Sequence, residues 1–265
     1  NRLRLTAVAG LALLFVLGGG TAVASTADDP VAAVSADVND FTFASMDVDY
    51  RLSRADDGTS RLTVVETFVA VFPEYDQNRG MRRSIPDTYD GPLHPVLISI
   101  TDENGTPRPA ETESEDGYFS MTSRANDYVH GIQTYVFTYT LENVTKHFAD
   151  TGVDEFYWDV NGDQWSQPFG SVSARVTVDD ALQDAVTGAS SCYVGYAGST
   201  QTCAIVTDAV TGETVASTGA LYPYQNMTIA IAFEEGTFTP FDSSYLASPW
   251  GWFQGVAGLA AAGAL

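Results

Sequence analysis

Glu66 is the first residue to ask about. It falls on the same period-two face as Leu62, Val64 and Phe68. A carboxylate on an apolar strand face must find a cationic partner or hold its proton more tightly. The basic run Arg79-Gly-Met-Arg82-Arg83-Ser-Ile-Pro86 follows and is the candidate partner, read as a loop. Two readings compete. In one, an ion pair fixes this loop to the sheet. In the other, Glu66, Arg79, Arg82, Arg83 and His130 form an anion-binding or acid-base site.

A second candidate is Asp159-Val-Asn161-Gly-Asp163. Asp159, Asn161 and Asp163 match the first ligands of a calcium loop, but the closing bidentate Glu is missing at its spacing. Trp158 and Trp165 flank the run, which suits a turn between two strands. Calcium is the only cofactor the sequence suggests. The three histidines, His94, His130 and His147, are dispersed, with no serine or cysteine nucleophile motif beside them. His130-Gly131 reads as a turn with a hydrogen-bonded imidazole. With 34 acidic residues, paired carboxylates arise by coincidence, so no catalytic residue is assigned. Sequons at Asn104, Asn143 and Asn226 matter only in a glycosylating host.

The elements that would position these groups are strands. Met46, Val48, Tyr50 and Leu52 alternate with polar residues, and Asp56-Asp57-Gly58 turns the chain. Leu62 to Phe72 is apolar on both faces, as expected of a central strand. Tyr135 to Leu141, Val172 to Val178 and Met227 to Phe233 alternate in the same way, with turn signals at Asn104-Gly105, Asn161-Gly162 and Thr211-Gly212. Sustained helical periodicity is absent; 180–186 offers two turns at most. The expectation is an all-β, antiparallel β-sandwich protein, divided into two tandem sandwich-like domains, 41–168 and 169–241.

The chain ends carry the topology. Arg2 and Arg4 precede an apolar core from Leu5 to Leu17, and Ala22-Val-Ala24 supplies a small-x-small site. This is a secretory signal over 1–24, cleaved between Ala24 and Ser25, followed by a flexible linker over 25–40. At the other end, 248–265 is uncharged and glycine- and alanine-rich, with Trp250, Trp252 and Phe253 at its start. It reads as the start of a truncated transmembrane helix. Residues 25–248 are then extracellular on a cell membrane.

The chain holds 12 basic and 34 acidic residues, a net charge of −22. The signal removes Arg2 and Arg4 and no acid, leaving ten basic residues against 34 and a charge of −24. Such a balance argues against nucleic acid and against anionic membrane surfaces as partners. Cys192 and Cys203 lie on either side of a Gly-Ser turn and read as a disulfide clipping neighbouring strands, as an export pathway permits.

Taken in order, several motifs resemble one family. They are Val48-Asp-Tyr50 through Asp57-Gly58 to Glu66, then Arg79 to Pro86, and His130-Gly131 with Tyr135 and Tyr139. They continue with Phe156 to Trp165, Cys192-Tyr-Val-Gly195 with Cys203, and Leu221-Tyr-Pro223 leading to Phe233. This succession resembles the bacterial predicted membrane proteins of domain-of-unknown-function family 2207, over about Asp47 to Pro240. The resemblance implies an exported N-terminal β domain followed by membrane spans. It brings no activity and no catalytic residues.

The sequence therefore points to a membrane-anchored, non-enzymatic ectodomain that binds or organises cell-envelope components or other membrane-protein subunits. The alternatives are a calcium-stabilised adhesion module and an extracellular hydrolase acting on cell-wall polymer, which needs two carboxylates in one cleft.

Overall fold

The computed structural model describes residues 37–242. The signal segment with its Ala24/Ser25 site, residues 25–36 of the linker and the apolar stretch 248–265 lie outside them. Among the described residues no helix is long and apolar enough to cross a membrane.

Nearly all regular structure is β. The largest sheet has seven strands, in the order β12 (Ala204–Thr207), β13 (Thr214–Thr218), β10 (Val172–Val178), β1 (Thr42–Arg54), β2 (Ser60–Phe72), β7 (Gly131–Glu142) and β4 (Val96–Thr101). A four-stranded sheet follows the order β11 (Val186–Gly195), β14 (Asn226–Glu234), β9 (Val153–Asp159) and β8 (Lys146–Phe148). A three-stranded sheet is formed by β3 (Gly80–Pro86), β6 (Tyr118–Arg124) and β5 (Glu111–Glu115). Pairing is antiparallel throughout except between β1 and β10. The segment 180–185 is a short 3-10 helix, within the two turns expected there.

The alternation read from sequence is the alternation of burial. Met46, Val48, Tyr50 and Leu52 are buried, as are Tyr135, Phe137, Tyr139 and Leu141 on β7. β2 lies between β1 and β7, the central position its two-faced apolarity implies. Buried side chains from all three sheets join in one core. The Tyr50 ring, for example, packs edge-on against Phe156 of β9 with centroids 5.8 Å apart.

Two expectations are corrected. The division near residue 168 is absent from the strand pairing. β10, β12 and β13 complete the sheet begun by β1 and β2, while β9 pairs with β14. Alternation reports which face of a strand is buried but not which strand lies beside it, and β1–β10 is a long-range choice. Residues 37–40 of the expected flexible linker are also held. Asn78 Nδ2 donates to the Val38 carbonyl at 2.7 Å, and Gln77 Nε2 to that of Asp40 at 3.2 Å.

Cys192 and Cys203 are joined, with Cα atoms 5.1 Å apart. The bond sits where the chain leaves β11 in one sheet to enter β12 in another, and Cys203 N–H donates to the Cys192 carbonyl at 3.0 Å.

Candidate functional site

Glu66 is fully buried, opposite Val48 on β1 and Phe137 on β7. Its partner is Arg83, and the segment carrying Arg83 is the strand β3 rather than a loop. Along β3 the side chains alternate, so Met81, Arg83 and Ile85 face inward while Arg82 faces solvent. Arg83 Nε donates to Glu66 Oε2 at 2.9 Å and Arg83 Nη2 to Oε1 at 2.8 Å, a two-point guanidinium–carboxylate contact. The Tyr139 hydroxyl donates to Oε1 at 2.9 Å. Arg83 Nη1 reaches the Asn161 carbonyl at 2.9 Å, and Nη2 the Val160 carbonyl at 3.3 Å. One guanidinium thus ties β2, β3 and the segment after β9 together.

The electrostatics follow from burial. Desolvation alone lowers the affinity of Arg83 for its proton, but the charge and hydrogen bonds of Glu66 outweigh it and the net direction is upward. Tyr139 and Tyr50 are pushed well above the usual phenol value, first by desolvation and then by the Glu66 charge. The Tyr50 hydroxyl and the Trp158 indole nitrogen are both buried and near each other.

The other sequence candidates do not join this network. Arg79 lies over the Tyr128 ring, 4.8 Å from its centroid. Arg82 Nε donates to Thr122 at 3.3 Å, and its guanidinium is 3.8 Å from Glu113. His130 pairs with Asp76 at 2.9 Å. His94 and His147 likewise face carboxylates, Glu142 at 2.7 Å and Asp154 at 3.0 Å.

Asp159, Asn161 and Asp163 lie at the end of β9 and in the turn after it. The Asn161 side chain points into the protein. Its amide donates to the Gly162 and Gln225 carbonyls, and its carbonyl accepts from Met227 N–H at 2.9 Å. Asp159 accepts from the Thr228 hydroxyl at 2.5 Å. Burial pushes its carboxyl up, the Thr228 bond opposes this, and the nearby Asp163 charge adds to the rise. Among the described residues no three His, Cys, Asp or Glu side chains are grouped to hold a metal ion.

Beside these carboxylates is a cavity of about 170 Å³, walled by Pro86, Tyr89, Tyr118 and Trp158, with Arg83 at its inner side and Asp159, Asp163 and Gln164 at its edge. It is one end of a longer feature. A shallower depression of about 230 Å³ shares Ser84, Tyr118 and Gln164 with it, and a third, of about 760 Å³, shares Arg82 with the second. Together they form a groove along β3, with the segment 161–167 on its other side. Tyr89, Tyr118 and Arg124 were missed from sequence. Tyr118 and Arg124 sit at the two ends of β6, opposite Pro86 and Gly80, and only the β3–β6 register brings them to the groove.

The family profile described as "Predicted membrane protein (DUF2207) N-terminal domain" matches residues 43–233. The chain belongs to this family. The match covers Glu66, Arg83, Tyr139, the disulfide and, apart from Val38, Asn39 and Phe41, the groove of this DUF2207 domain. No curated protein sequence matches the chain. Among solved structures, native leukotriene A4 hydrolase from Saccharomyces cerevisiae aligns at 10% identity and a TM-score of 0.44, covering 72% of this chain and 29% of that one. A mutant M1 zinc metallopeptidase from Deinococcus radiodurans aligns at 12% identity and a TM-score of 0.38, covering 71% and 42%. The DUF2207 chain thus spans less than half the length of these proteins.

Proposed function

We propose that this protein is an exported, membrane-anchored β-sandwich module that binds a cell-envelope component in the groove along β3, without turning it over. One observation carries the reading. The groove has aromatic side chains, Tyr89, Tyr118 and Trp158, set beside the hydrogen-bonding edge of Asp159, Asp163 and Gln164. Flat apolar faces next to carboxylates and amides suit a polyhydroxylated chain, whose C–H faces stack while its hydroxyls bond. The family description supports membrane association. The secretory pattern over 1–24 and the apolar stretch 248–265 support an extracellular placement of the domain. The non-catalytic reading is supported by Glu66, whose oxygens are occupied by Arg83 and Tyr139.

The hydrolase alternative has one observation in its favour. Asp159, held upward by burial, stands near Asp163 at the groove edge. A single experiment separates the two. The full chain is mixed with insoluble β-1,4-linked amino-sugar wall polymer, then sedimented and assayed for new reducing ends. Binding without new ends, lost in the double variant Tyr89→Ala/Tyr118→Ala, supports the module. New reducing ends that vanish in Asp159→Asn establish the hydrolase. Absence of binding and of turnover rejects the groove as the functional site.

A further inference from the structure

The far end of the groove has a different chemistry. Arg79, Arg82 and Arg124 border its largest depression, where no acidic side chain stands among the described residues, whereas Glu113, Glu115 and Asp116 line the adjoining one. In a chain of net charge −22 with only 12 basic residues, this concentration stands out. The β3–β6 register sets Gly80 opposite Arg124 and Arg82 opposite Thr122, so Arg82 and Arg124 are diagonal neighbours on one exposed face. Like charges so placed repel each other by a few tenths of a kcal/mol or more. Among the described residues Arg82 meets the exposed Glu113 at 3.8 Å, Arg79 lies on the Tyr128 ring, and neither Arg79 nor Arg124 forms an ion pair. Glu111 of β5, opposite Thr122, is as near in register to Arg124 as Arg82 is. Gly80 cannot be replaced cheaply here. Its φ is +147°, and a Cβ would overlap the Ser123 carbonyl, so the backbone closes tightly between the arginines.

Gln77, nine-tenths buried in the wall, donates its amide to the Asp40 carbonyl at 3.2 Å, and its Oε1 is enclosed, with no hydrogen-bond partner among the described residues.

We propose that this end of the groove is an anion subsite. The ligand is a linear, polyhydroxylated envelope polymer carrying anionic oxygen groups, phosphodiester or carboxylate, which Arg79, Arg82 and Arg124 bind. The inference rests on the groove reading given above and adds the ligand's charge. Guanidinium forks match both phosphate and carboxylate oxygens. The protein's overall negative charge excludes broad polyanions, but a single chain in a cleft meets mainly the charges within about 8 Å at physiological salt. Lipid headgroups of the protein's own membrane fit less well. Thr239, close to the last described residue, bonds to Gly58 at the β1–β2 turn, whereas the arginines lie beyond the other end of β2. At 3.3 Å per residue, the 13-residue β2 separates these ends by about 40 Å.

The test titrates the full chain with poly(glycerol phosphate), polygalacturonate, the uncharged wall polymer and vesicles rich in phosphatidylglycerol. The expected result is binding of at least one anionic polymer, weakened about tenfold or more in Arg79→Gln/Arg124→Gln at an unchanged melting temperature. Arg124→Gln alone, at an exposed position, gives a smaller loss and serves as the folded control should the double variant unfold. Undiminished binding by either folded variant overturns the subsite. Binding of the uncharged polymer alone overturns it while leaving the proposed module intact; binding of no polymer overturns both. Vesicle binding lost in the variants, with no polymer binding, assigns the arginines to a lipid headgroup and also overturns the proposal.

Discussion

Removing Arg83 tests the central physical claim, that the Glu66–Arg83 pair is a buried junction. In Arg83→Ala, Glu66 keeps its place, with none of its side chain exposed, and retains only the Tyr139 hydroxyl as donor. The Val160 carbonyl loses its contact with Arg83, while the Asn161 carbonyl still accepts from Trp165 Nε1 at 2.8 Å. Breaking a buried ion pair from one side costs about 3–5 kcal/mol, because the remaining charge is neither solvated nor paired. For a domain of this size each kcal/mol moves the melting temperature by about 2–4 °C, so a fall of roughly 6–20 °C is expected. Glu66→Gln should cost somewhat less, since Arg83 still has two carbonyls to donate to. The double variant Glu66→Leu/Arg83→Met removes both charges and should recover most of the loss. Urea unfolding of all four proteins gives the values, read as midpoint shifts at constant m. A loss below about 1 kcal/mol in Arg83→Ala would refute the reasoning, because it would mean that water reaches the pair. So would a double variant less stable than either single one.

Three further outcomes follow. Asp159 binds its proton more tightly folded than unfolded, so its charge reduces stability as pH rises above 3.8; Asp159→Asn should raise the melting temperature at pH 7, with the gain shrinking as pH falls toward 4, and a pH-independent effect would contradict the burial argument. Cys192→Ser/Cys203→Ser opens a loop of sequence separation 11 and should cost about 3 kcal/mol by denaturant titration, and a neutral result would mean that the β11–β12 passage holds without the bond. Because the Asn161 side chain is fully engaged inside the protein, calcium or a chelator should leave the melting curve unchanged; a clear rise with calcium would restore the calcium-loop reading.

The sequence alone determined the things that depend on nearest neighbours. Period-two alternation gave the strands and their buried faces, because successive side chains of a strand point to opposite sides whatever lies next to it. It also located Glu66 in the core and named the run that contains its partner. Cys192 and Cys203 were legible because they are close in the chain and flank a turn. Tertiary structure decided what depends on distant neighbours. Alternation does not encode pairing, so the parallel docking of β10 on β1, which merges the two expected domains, was out of reach. So was the choice of Arg83 over Arg79 and Arg82. That choice follows from β3 being a strand, whose pleat turns Arg83 inward to Glu66 and Arg82 outward to the groove. The groove itself comes from the β3–β6 register and from the turn after β9. It gathers Tyr89, Tyr118 and Arg124 from places that no local pattern connects.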